Sequence, residues 1–193
     1  MSSIDWYEAN AESFVARTFG PGMESDHAKF LAHVPDGGAV LDAGCGSGRD
    51  ALAFVKGGYA VSAFDGAANL AAIASANTGL AVRCLTFAEM DWDRAFDGVW
   101  ACATLLHLPA ADLPAAFGRI RQALKPGGVF YASFKEGTEE RTANGRHFTD
   151  LTQPMLRTLL TETGFEPIDV WRSEDGRADH TGESWVAAIA RRP

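Results

Sequence analysis

The glycine-rich segment at residues 39–50, AVLDAGCGSGRD, constrains the fold of this chain more than any other stretch. It begins with a short apolar run that predicts a buried strand, and the residues that follow the glycines have the apolar spacing of a helix. Between the two, glycine occupies every second position, at Gly44, Gly46 and Gly48. Such a loop brings backbone N–H groups and a helix N-terminus to a ligand, and glycine is needed where a Cβ would block the turn or the ligand. The segment therefore predicts a ligand-binding loop, with a glycine turn that binds nothing as the alternative.

Two familiar nucleotide-binding patterns do not fit this loop. The dinucleotide fingerprint G-x-G-x-x-G requires a third glycine where this chain has Arg49. The phosphate-binding pattern that ends in Lys-Ser or Lys-Thr is missing altogether. An acidic residue, Asp42, ends the strand two positions before the first glycine. Arg49 therefore disfavours a dinucleotide as the ligand, and the loop does not match the phosphate loop that holds a nucleoside triphosphate.

Strand-like and helix-like segments alternate along most of the chain. The predicted strands are 39–43, 59–64, 81–86, 96–102, 129–134, 166–172 and 184–191, and the predicted helices are 5–19, 27–34, 48–56, 67–76, 112–124 and 154–163. Alternation of this kind predicts an α/β fold with a mostly parallel sheet and helices on both faces. Such sheets bind ligands beyond the carboxyl ends of their strands, where the glycine loop would lie.

Several motifs resemble those of the class I S-adenosylmethionine-dependent methyltransferases. Leu41-Asp42-Ala43-Gly44-Cys45-Gly46-Ser47-Gly48 resembles their motif I, residues 96–109 resemble their fourth strand with its loop, and Leu124-Lys125-Pro126-Gly127-Gly128 resembles the turn before their fifth strand. The resemblance covers residues 39–191. It implies a Rossmann-like sheet of seven strands with an antiparallel C-terminal pair, S-adenosylmethionine (SAM) as cofactor and S-adenosylhomocysteine (SAH) as product. The small size and the segment Phe134-Lys135-Glu136-Gly137 are more weakly similar to the tellurite-resistance methyltransferases.

The resemblance also assigns cofactor-binding roles to particular residues. Asp65 ends the second predicted strand, where relatives carry an acid that accepts hydrogen bonds from the two ribose hydroxyls; the alternative role is to cap the helix that follows. The other residues expected around the cofactor are Asp42, Gly44, Cys45, Gly46, Ser47, Gly48, Arg49, Gly66 and Ala103.

The adenine end departs from the family pattern. Many relatives carry an acid after the third strand, where this chain has Phe87 followed by Ala88. Phe87 could stack on the adenine while a main-chain N–H of Phe87 or Ala88 bonds the ring edge, with Glu89 or Asp91 as substitutes for the acid. An ordinary core position for Phe87 is the alternative.

Candidate acceptor-site residues come from the segments that can cover the carboxyl edge of the sheet. His107 and Tyr7 are the candidate catalytic residues, and Arg17, Lys135 and Arg146 are the candidate acceptor-binding residues. A structural role is the alternative for each, and Arg141 and His147 lie on the same stretch as Lys135 and Arg146. Cationic groups around a pocket would favour an anionic acceptor, and a thiol-like acceptor would need little help from a base.

The whole chain is expected to form one methyltransferase domain, 1–193, with an N-terminal helical cap at 1–36 and a lid-like loop at 135–153. A net charge of −8 argues against a nucleic-acid partner, and no apolar run is long enough for a membrane helix. Three cysteines without a C-x-x-C pair suggest no metal site, and Cys84 and Cys102 are expected inside strands. We expect a cytoplasmic monomer or homodimer that acts on a small-molecule acceptor.

Two other functions stay open from the sequence. The first is a protein that binds S-adenosyl ligands without catalysis. The second is a nicotinamide-dependent oxidoreductase, which Arg49 in place of the third glycine disfavours.

Overall fold

The computed structural model describes residues 2–20, 22–174 and 183–193. Within these ranges the strands are β1 (Ala39–Ala43), β2 (Ala60–Asp65), β3 (Arg83–Cys84), β4 (Phe96–Ala101), β5 (Leu124–Lys135), β6 (Glu140–Ala143), β7 (Arg146–Thr149), β8 (Glu166–Glu174) and β9 (Ser184–Arg191). The α-helices are α1 (Ser3–Thr18), α2 (Glu24–Leu31), α3 (Arg49–Lys56), α4 (Ala68–Thr78), α5 (Leu113–Ala123) and α6 (Gln153–Glu162).

Seven of the described strands form one sheet in the order β3-β2-β1-β4-β5-β9-β8. The first five pair in parallel, whereas β9 runs antiparallel to both β5 and β8. The chain moves outward from β1 to β3 and then returns to the other side of β1 at β4, so the strand order reverses between β1 and β4. A ligand site is expected beyond the carboxyl ends of these two strands. The predicted Rossmann-like methyltransferase fold is confirmed.

Apolar side chains fill both faces of the sheet. On one face the fully buried rings of Phe117 and Phe130 lie 5.1 Å apart and connect α5 to β5. On the other face Trp100 stacks on Tyr131, with 3.7 Å between ring centroids and an interplanar angle of 12°. These two layers support β1, β4 and β5 from both sides and so fix the edge from which the site residues project.

Most predicted elements agree with the structure, and the differences lie at the ends of elements. The predicted strand 81–86 contains only the two paired residues of β3, so Cys84 is exposed and does not lie in the core. The predicted strand 129–134 extends over the preceding Lys-Pro-Gly-Gly turn, because Leu124 pairs with Phe96 of β4. Helix α2 begins at Glu24, three residues before the predicted start.

The stretch 135–153, predicted as an irregular loop, contains an antiparallel hairpin. Strands β6 and β7 pair from Ala143–Arg146 to Glu140–Thr149, and the two residues between them have positive φ, 50° at Asn144 and 78° at Gly145. Two such residues form the type I′ turn that Asn-Gly favours in two-residue hairpins. We call α1 together with the β6–β7 hairpin the cover, because both contact the carboxyl edge of the sheet.

No helix in the described ranges is long and apolar enough to cross a membrane.

Candidate active site

The glycine loop connects the end of β1 to the start of α3. Its three glycines have positive φ values of 73° at Gly44, 54° at Gly46 and 77° at Gly48, which residues with a Cβ rarely adopt. The N–H groups of Gly44 and Cys45 both donate to the carbonyl oxygen of Phe64, each at 2.9 Å. The loop is therefore attached to the end of β2, and its backbone conformation depends on glycine.

Asp42 connects the strand before the loop to the helix after it. The side chain is buried, with 3% exposed, and its Oδ2 accepts a hydrogen bond from the N–H of Ala51 at 2.9 Å. Burial, followed by the nearby Asp50 carboxylate, raises the pKa of Asp42 well above its usual range. In the structure Asp42 thus positions the loop between β1 and α3, and its predicted contact with a cofactor stays a prediction.

Asp65 lies at the end of β2 with both carboxylate oxygens on main-chain donors. Oδ1 accepts from the N–H of Ala67 at 2.9 Å, and Oδ2 accepts from the N–H of Gly46 at 2.8 Å. Burial raises the pKa of Asp65, although these main-chain donors oppose that shift. Each oxygen keeps a further lone-pair site. The carboxylate therefore both fixes the loop and fits a ligand that presents two neighbouring hydroxyls, as a ribose does.

Helix α1 packs directly against this region. A Cβ added at Gly46 would lie 3.2 Å from the ring of Phe14, and one at Gly66 would lie 3.1 Å from Ile4. The Glu8 carboxylate accepts a hydrogen bond from the N–H of Asn69 in the first turn of α4, at 3.0 Å. Helix α1 therefore forms a wall over the predicted cofactor site.

The backbone at the end of β4 is also unusual. Ala103 has a φ of 51°, which costs a residue with a Cβ roughly 1–2 kcal/mol, and its N–H donates to Ser133 Oγ at 2.9 Å. Thr104 follows, and a Cβ at Gly44 would lie 2.0 Å from its Oγ1. Strain of this kind concentrates at functional sites. The turn brings β4 against the glycine loop at the point where the strand order reverses.

Three of the predicted acceptor-site residues meet beyond this turn. Tyr7 Oη lies 2.8 Å from His107 Nε2, and Arg146 Nη1 donates to Tyr7 Oη at 3.2 Å. His107 Nδ1 lies 2.7 Å from the carbonyl oxygen of His147. Because a carbonyl only accepts, Nδ1 carries the proton, and Nε2 accepts from the Tyr7 hydroxyl. The hydrogen bonds run in one direction, from Arg146 through Tyr7 and His107 to the hairpin backbone.

Burial favours the uncharged forms of His107 and Tyr7. It lowers the pKa of His107 to about 4, against the hydrogen bond to the His147 carbonyl, so His107 is a neutral imidazole at neutral pH. Burial also raises the pKa of Tyr7, against the hydrogen bond from Arg146. The Tyr7 ring lies 5.0 Å from that of Phe14, and a Cβ at Gly46 would lie 3.2 Å from the Phe14 ring, so Tyr7 is separated from the glycine loop by one aromatic side chain.

A second polar group lies at the start of α3. The Asp50 carboxylate binds the Arg49 guanidinium through two hydrogen bonds of 2.8 and 2.9 Å, and it also contacts His27 Nε2 at 3.1 Å and Trp100 Nε1 at 3.0 Å. Burial would raise the pKa of Asp50, but the hydrogen bonds from His27 and Arg49 outweigh it and lower that pKa. Arg49, predicted at the cofactor, is therefore held by the neighbouring carboxylate.

The other predicted residues are more scattered. Phe87 is buried in the core with its ring 5.3 Å from that of Phe64, whereas the next residue, Ala88, is exposed. Arg17 is exposed, and its Nε donates within α1 to the Ser13 carbonyl at 3.1 Å.

The contacts of Lys135 and Ser47 are with residues other than Tyr7 and His107. Lys135 forms an ion pair with Glu183 and lies 5.1 Å from the ring centre of Trp185. Ser47 is buried, and its carbonyl accepts from the side-chain amide of Asn77 at 2.9 Å.

Sequence reasoning missed three aromatic or hydroxyl residues of the cover: Ser3, Trp6 and Phe148. Ser3 Oγ accepts from the N–H of His147 at 2.9 Å, and the rings of Trp6 and Phe148 flank Arg146. The Asn-Gly pair at 144–145 predicts a hairpin and could have marked the stretch that holds Phe148, whereas no local signal marks Ser3 and Trp6 on α1.

Comparison with known proteins adds independent information on the family. A family model described as a methyltransferase domain matches residues 40–128. Sterol 24-C-methyltransferase ERG6B of Gibberella zeae is 32% identical over 149 residues, 66% of this chain and 38% of that protein. Malonyl-[acyl-carrier protein] O-methyltransferase of Erwinia pyrifoliae is 32% identical over 143 residues, 64% of this chain and 52% of that protein. The chain thus spans about half or less of the length of these two relatives.

A solved structure matches the complete chain. The Burkholderia thailandensis 1,6-didemethyltoxoflavin-N1-methyltransferase, determined with 1,6-didemethyltoxoflavin and SAH bound, is 26% identical with a TM-score of 0.77. The match covers 100% of this chain and 91% of that one. The narrower resemblance to tellurite-resistance methyltransferases stays a prediction. The sheet order, the glycine loop with Asp65 and these matches together support a class I S-adenosylmethionine-dependent methyltransferase.

Proposed function

We propose that this chain transfers the methyl group of SAM to a small-molecule acceptor. The observation that supports the proposal is a chain of contacts: Tyr7, which bonds His107, has its ring 5.0 Å from that of Phe14, and Phe14 packs against Gly46 of the loop that Asp65 fixes. A cofactor held at the loop and an acceptor held at the pair would be neighbours, and holding two reactants together supplies about 7–11 kcal/mol in favourable intramolecular cases.

The cofactor half would be held mainly by backbone and by one carboxylate. Asp65 would accept hydrogen bonds from the ribose hydroxyls, and the glycine loop would let the rest of the ligand approach the main chain. Phe87 and Ala88 would lie toward the adenine. SAM itself supplies a methyl group activated on a sulfonium, so the protein contributes position and the exclusion of water.

The acceptor half would use His107 as a proton acceptor. Its Nε2 already accepts a hydrogen bond from a hydroxyl, that of Tyr7, while its Nδ1–H is held by the His147 carbonyl. An acceptor O–H or N–H that replaced this hydroxyl would give its proton to Nε2 as the methyl is transferred. An acceptor thiolate would need no such base. The matched proteins are named for a sterol, for malonyl-[acyl-carrier protein] and for 1,6-didemethyltoxoflavin, and so their names do not agree on an acceptor.

The chain would work as a single domain, with residues 1–36 as its cap and the β6–β7 hairpin as the lid. Its three cysteines carry free thiols, which suits the reducing cytoplasm.

Calorimetric titration with SAM, SAH and NAD tests the cofactor. We expect SAM and SAH to bind in the micromolar range and NAD not to bind. Release of SAH should then be measured with thiols, phenols, carboxylic acids and N-heterocycles as acceptors. Tight SAH binding with no turnover across that panel would favour a non-catalytic S-adenosyl-binding protein, and no binding of either ligand would overturn the proposal.

A further inference from the structure

We propose that the methyl acceptor carries a carboxylate or another oxyanion, and that Arg146 binds this group through its Nε–H edge. This inference rests on the proposed methyl transfer at the Tyr7–His107 pair.

The Arg146 side chain lies among three aromatic rings. The central carbon of its guanidinium is 4.4 Å from the ring centre of Trp6, 5.1 Å from that of Phe148 and 5.7 Å from that of Tyr7. Rings at these distances attract the cation and remove water from its faces. The rings contact the faces of the planar group, so its hydrogen-bond donors lie along its edge, where the N–H bonds point.

One of these edge donors is buried without a partner. Nη1 donates to Tyr7 Oη, but Nε is buried and makes no hydrogen bond, and no other side-chain nitrogen or oxygen that is buried in the described ranges shares this condition. Buried donors are nearly always paired, and an unpaired one is costly, more so on a charged group. Arg146 Nε therefore fits an acceptor that the described residues do not supply.

The positive charge of Arg146 also has no carboxylate partner among the described residues. Across residues 2–20, 22–174 and 183–193, no carboxylate oxygen lies within 4.0 Å of it, in a chain with a net charge of −8. Arg49 and Arg141, by contrast, each bind an aspartate through Nε and Nη2 together. Among the described residues, no carboxylate binds the same edge of Arg146, which has the fork geometry that binds an oxyanion with two hydrogen bonds.

The position of this edge connects it to the proposed reaction. Arg146 bonds Tyr7, and Tyr7 bonds His107, so an oxyanion on Arg146 would hold the rest of the acceptor beside Nε2 of His107. Arg146 would then be a specificity-determining residue for the acceptor and would contribute nothing to cofactor binding.

Benzoate and benzamide are matched probes, because they share a flat ring and differ in the charge of the group attached to it. Binding of each to the SAH-saturated protein should be followed by calorimetry and by the ¹H–¹⁵N resonance of Arg146 Nε, which is assigned by its loss in Arg146→Lys. We expect benzoate to bind at least about tenfold more tightly than benzamide, as expected from losing a hydrogen bond to a charged group. We also expect benzoate, and not benzamide, to shift the Nε–H resonance.

Substitutions at Arg146 then separate binding by its Nε–H edge from binding by positive charge alone. Arg146→Gln should remove the preference for benzoate, and Arg146→Lys should keep only a small part of it. The control Arg141→Gln lies on the same hairpin and contacts the same ring, that of Phe148, at 4.7 Å, and it should keep the preference. SAH affinity should stay unchanged in the two Arg146 variants.

Three results would overturn the inference. They are failure of the wild-type protein to bind benzoate, equal affinity for the two probes, and an Nε–H resonance that benzoate does not move. The wild-type spectrum needs no variant to fold. If SAH itself did not bind, the proposed function would fall. A benzoate-dependent shift of the Arg146 resonance would then still show an oxyanion site, so the two failures are distinguishable.

Discussion

The glycine-loop region, residues 42–51 and 65–67, and the cover pack against each other and are built in different ways. In the loop region, hydrogen bonds join residues 2, 9 and 19 positions apart, and each has a backbone N–H as its donor. In the cover, and from it to His107, they join residues 100, 139 and 144 positions apart, and only one of the three has a backbone donor. Backbone geometry determines the first region, and packing of distant segments determines the second.

This difference separates the two halves of the proposed reaction. A cofactor common to a large family suits a site made of backbone and one carboxylate, which tolerates change elsewhere in the chain. An acceptor that differs between family members suits a wall made of side chains on α1 and a hairpin. The two regions should therefore respond differently to substitution and to pH.

The largest expected effect is that of Gly44→Ala in the loop region. The new Cβ would lie 2.0 Å from Thr104 Oγ1 and 2.7 Å from Thr104 Cβ, at a φ of 73°. We expect a loss of about 3 kcal/mol in the free energy of unfolding, from the left-handed backbone and the overpacking together, and loss of SAH binding. Urea unfolding and calorimetry measure both.

Gly79→Ala is the matched control. Gly79 has a φ of 75°, but a Cβ there would meet nothing within 4 Å, so only the backbone cost of about 1 kcal/mol should appear. Equal losses in the two variants would mean that the loop region adapts to a side chain, and the contrast with the cover would disappear.

A comparable loss of folding stability is expected as the pH is lowered, because the cover buries His107. The pKa of His107 falls from 6.5 to about 4 on folding. The unfolded chain therefore binds a proton between these values that the folded chain does not, and stability should fall as the pH drops from 6.5 towards 4. The loss attributable to this group approaches about 3 kcal/mol.

Urea unfolding across this pH range measures the loss, and subtraction of the same curve for His107→Asn isolates it. The exposed His33 provides the control, since His33→Asn should leave the pH dependence of the wild type in place. Identical curves for the wild type and His107→Asn would show that the cover does not bury His107 from water.

The same contrast explains what the sequence could predict. The loop region follows from local rules: glycine at positive φ, an acid at the end of β2, and alternating strands and helices. The meeting of Tyr7, His107 and Arg146 depends on how α1 and the hairpin fold back, which local rules do not determine, and the candidates Lys135 and Arg17 lie elsewhere for the same reason. The hairpin was predictable from its Asn-Gly turn, but the ring contacts around Arg146 were not.

A smaller effect is expected for the acid at the end of β2. Asp65→Ala should weaken SAM binding by about 1–3 kcal/mol, the range for hydrogen bonds to a charged group, because both ribose hydroxyls would lose their acceptor. Asp65→Asn keeps one carbonyl-type oxygen and should lose less. Calorimetric affinities for SAM compare the two, and unchanged affinity in Asp65→Ala would leave Asp65 with only its contacts to Gly46 and Ala67.

The smallest expected effect concerns the attachment of the cover to the loop region. Helix α4 begins after Ala67, which has no side-chain oxygen to cap it, and the Glu8 carboxylate of α1 accepts from its Asn69 N–H. Glu8→Ala removes this contact and should cost about 0.5–1 kcal/mol, as loss of an exposed cap does. The exposed Glu12 of the same helix is the control, since Glu12→Ala changes the charge of α1 equally. Hydrogen exchange should show faster opening of α1 in Glu8→Ala than in Glu12→Ala, with β1 and β4 unchanged in both. Faster exchange in β1 as well would mean that the two regions open together, and the cover would then be part of the same cooperative unit as the sheet.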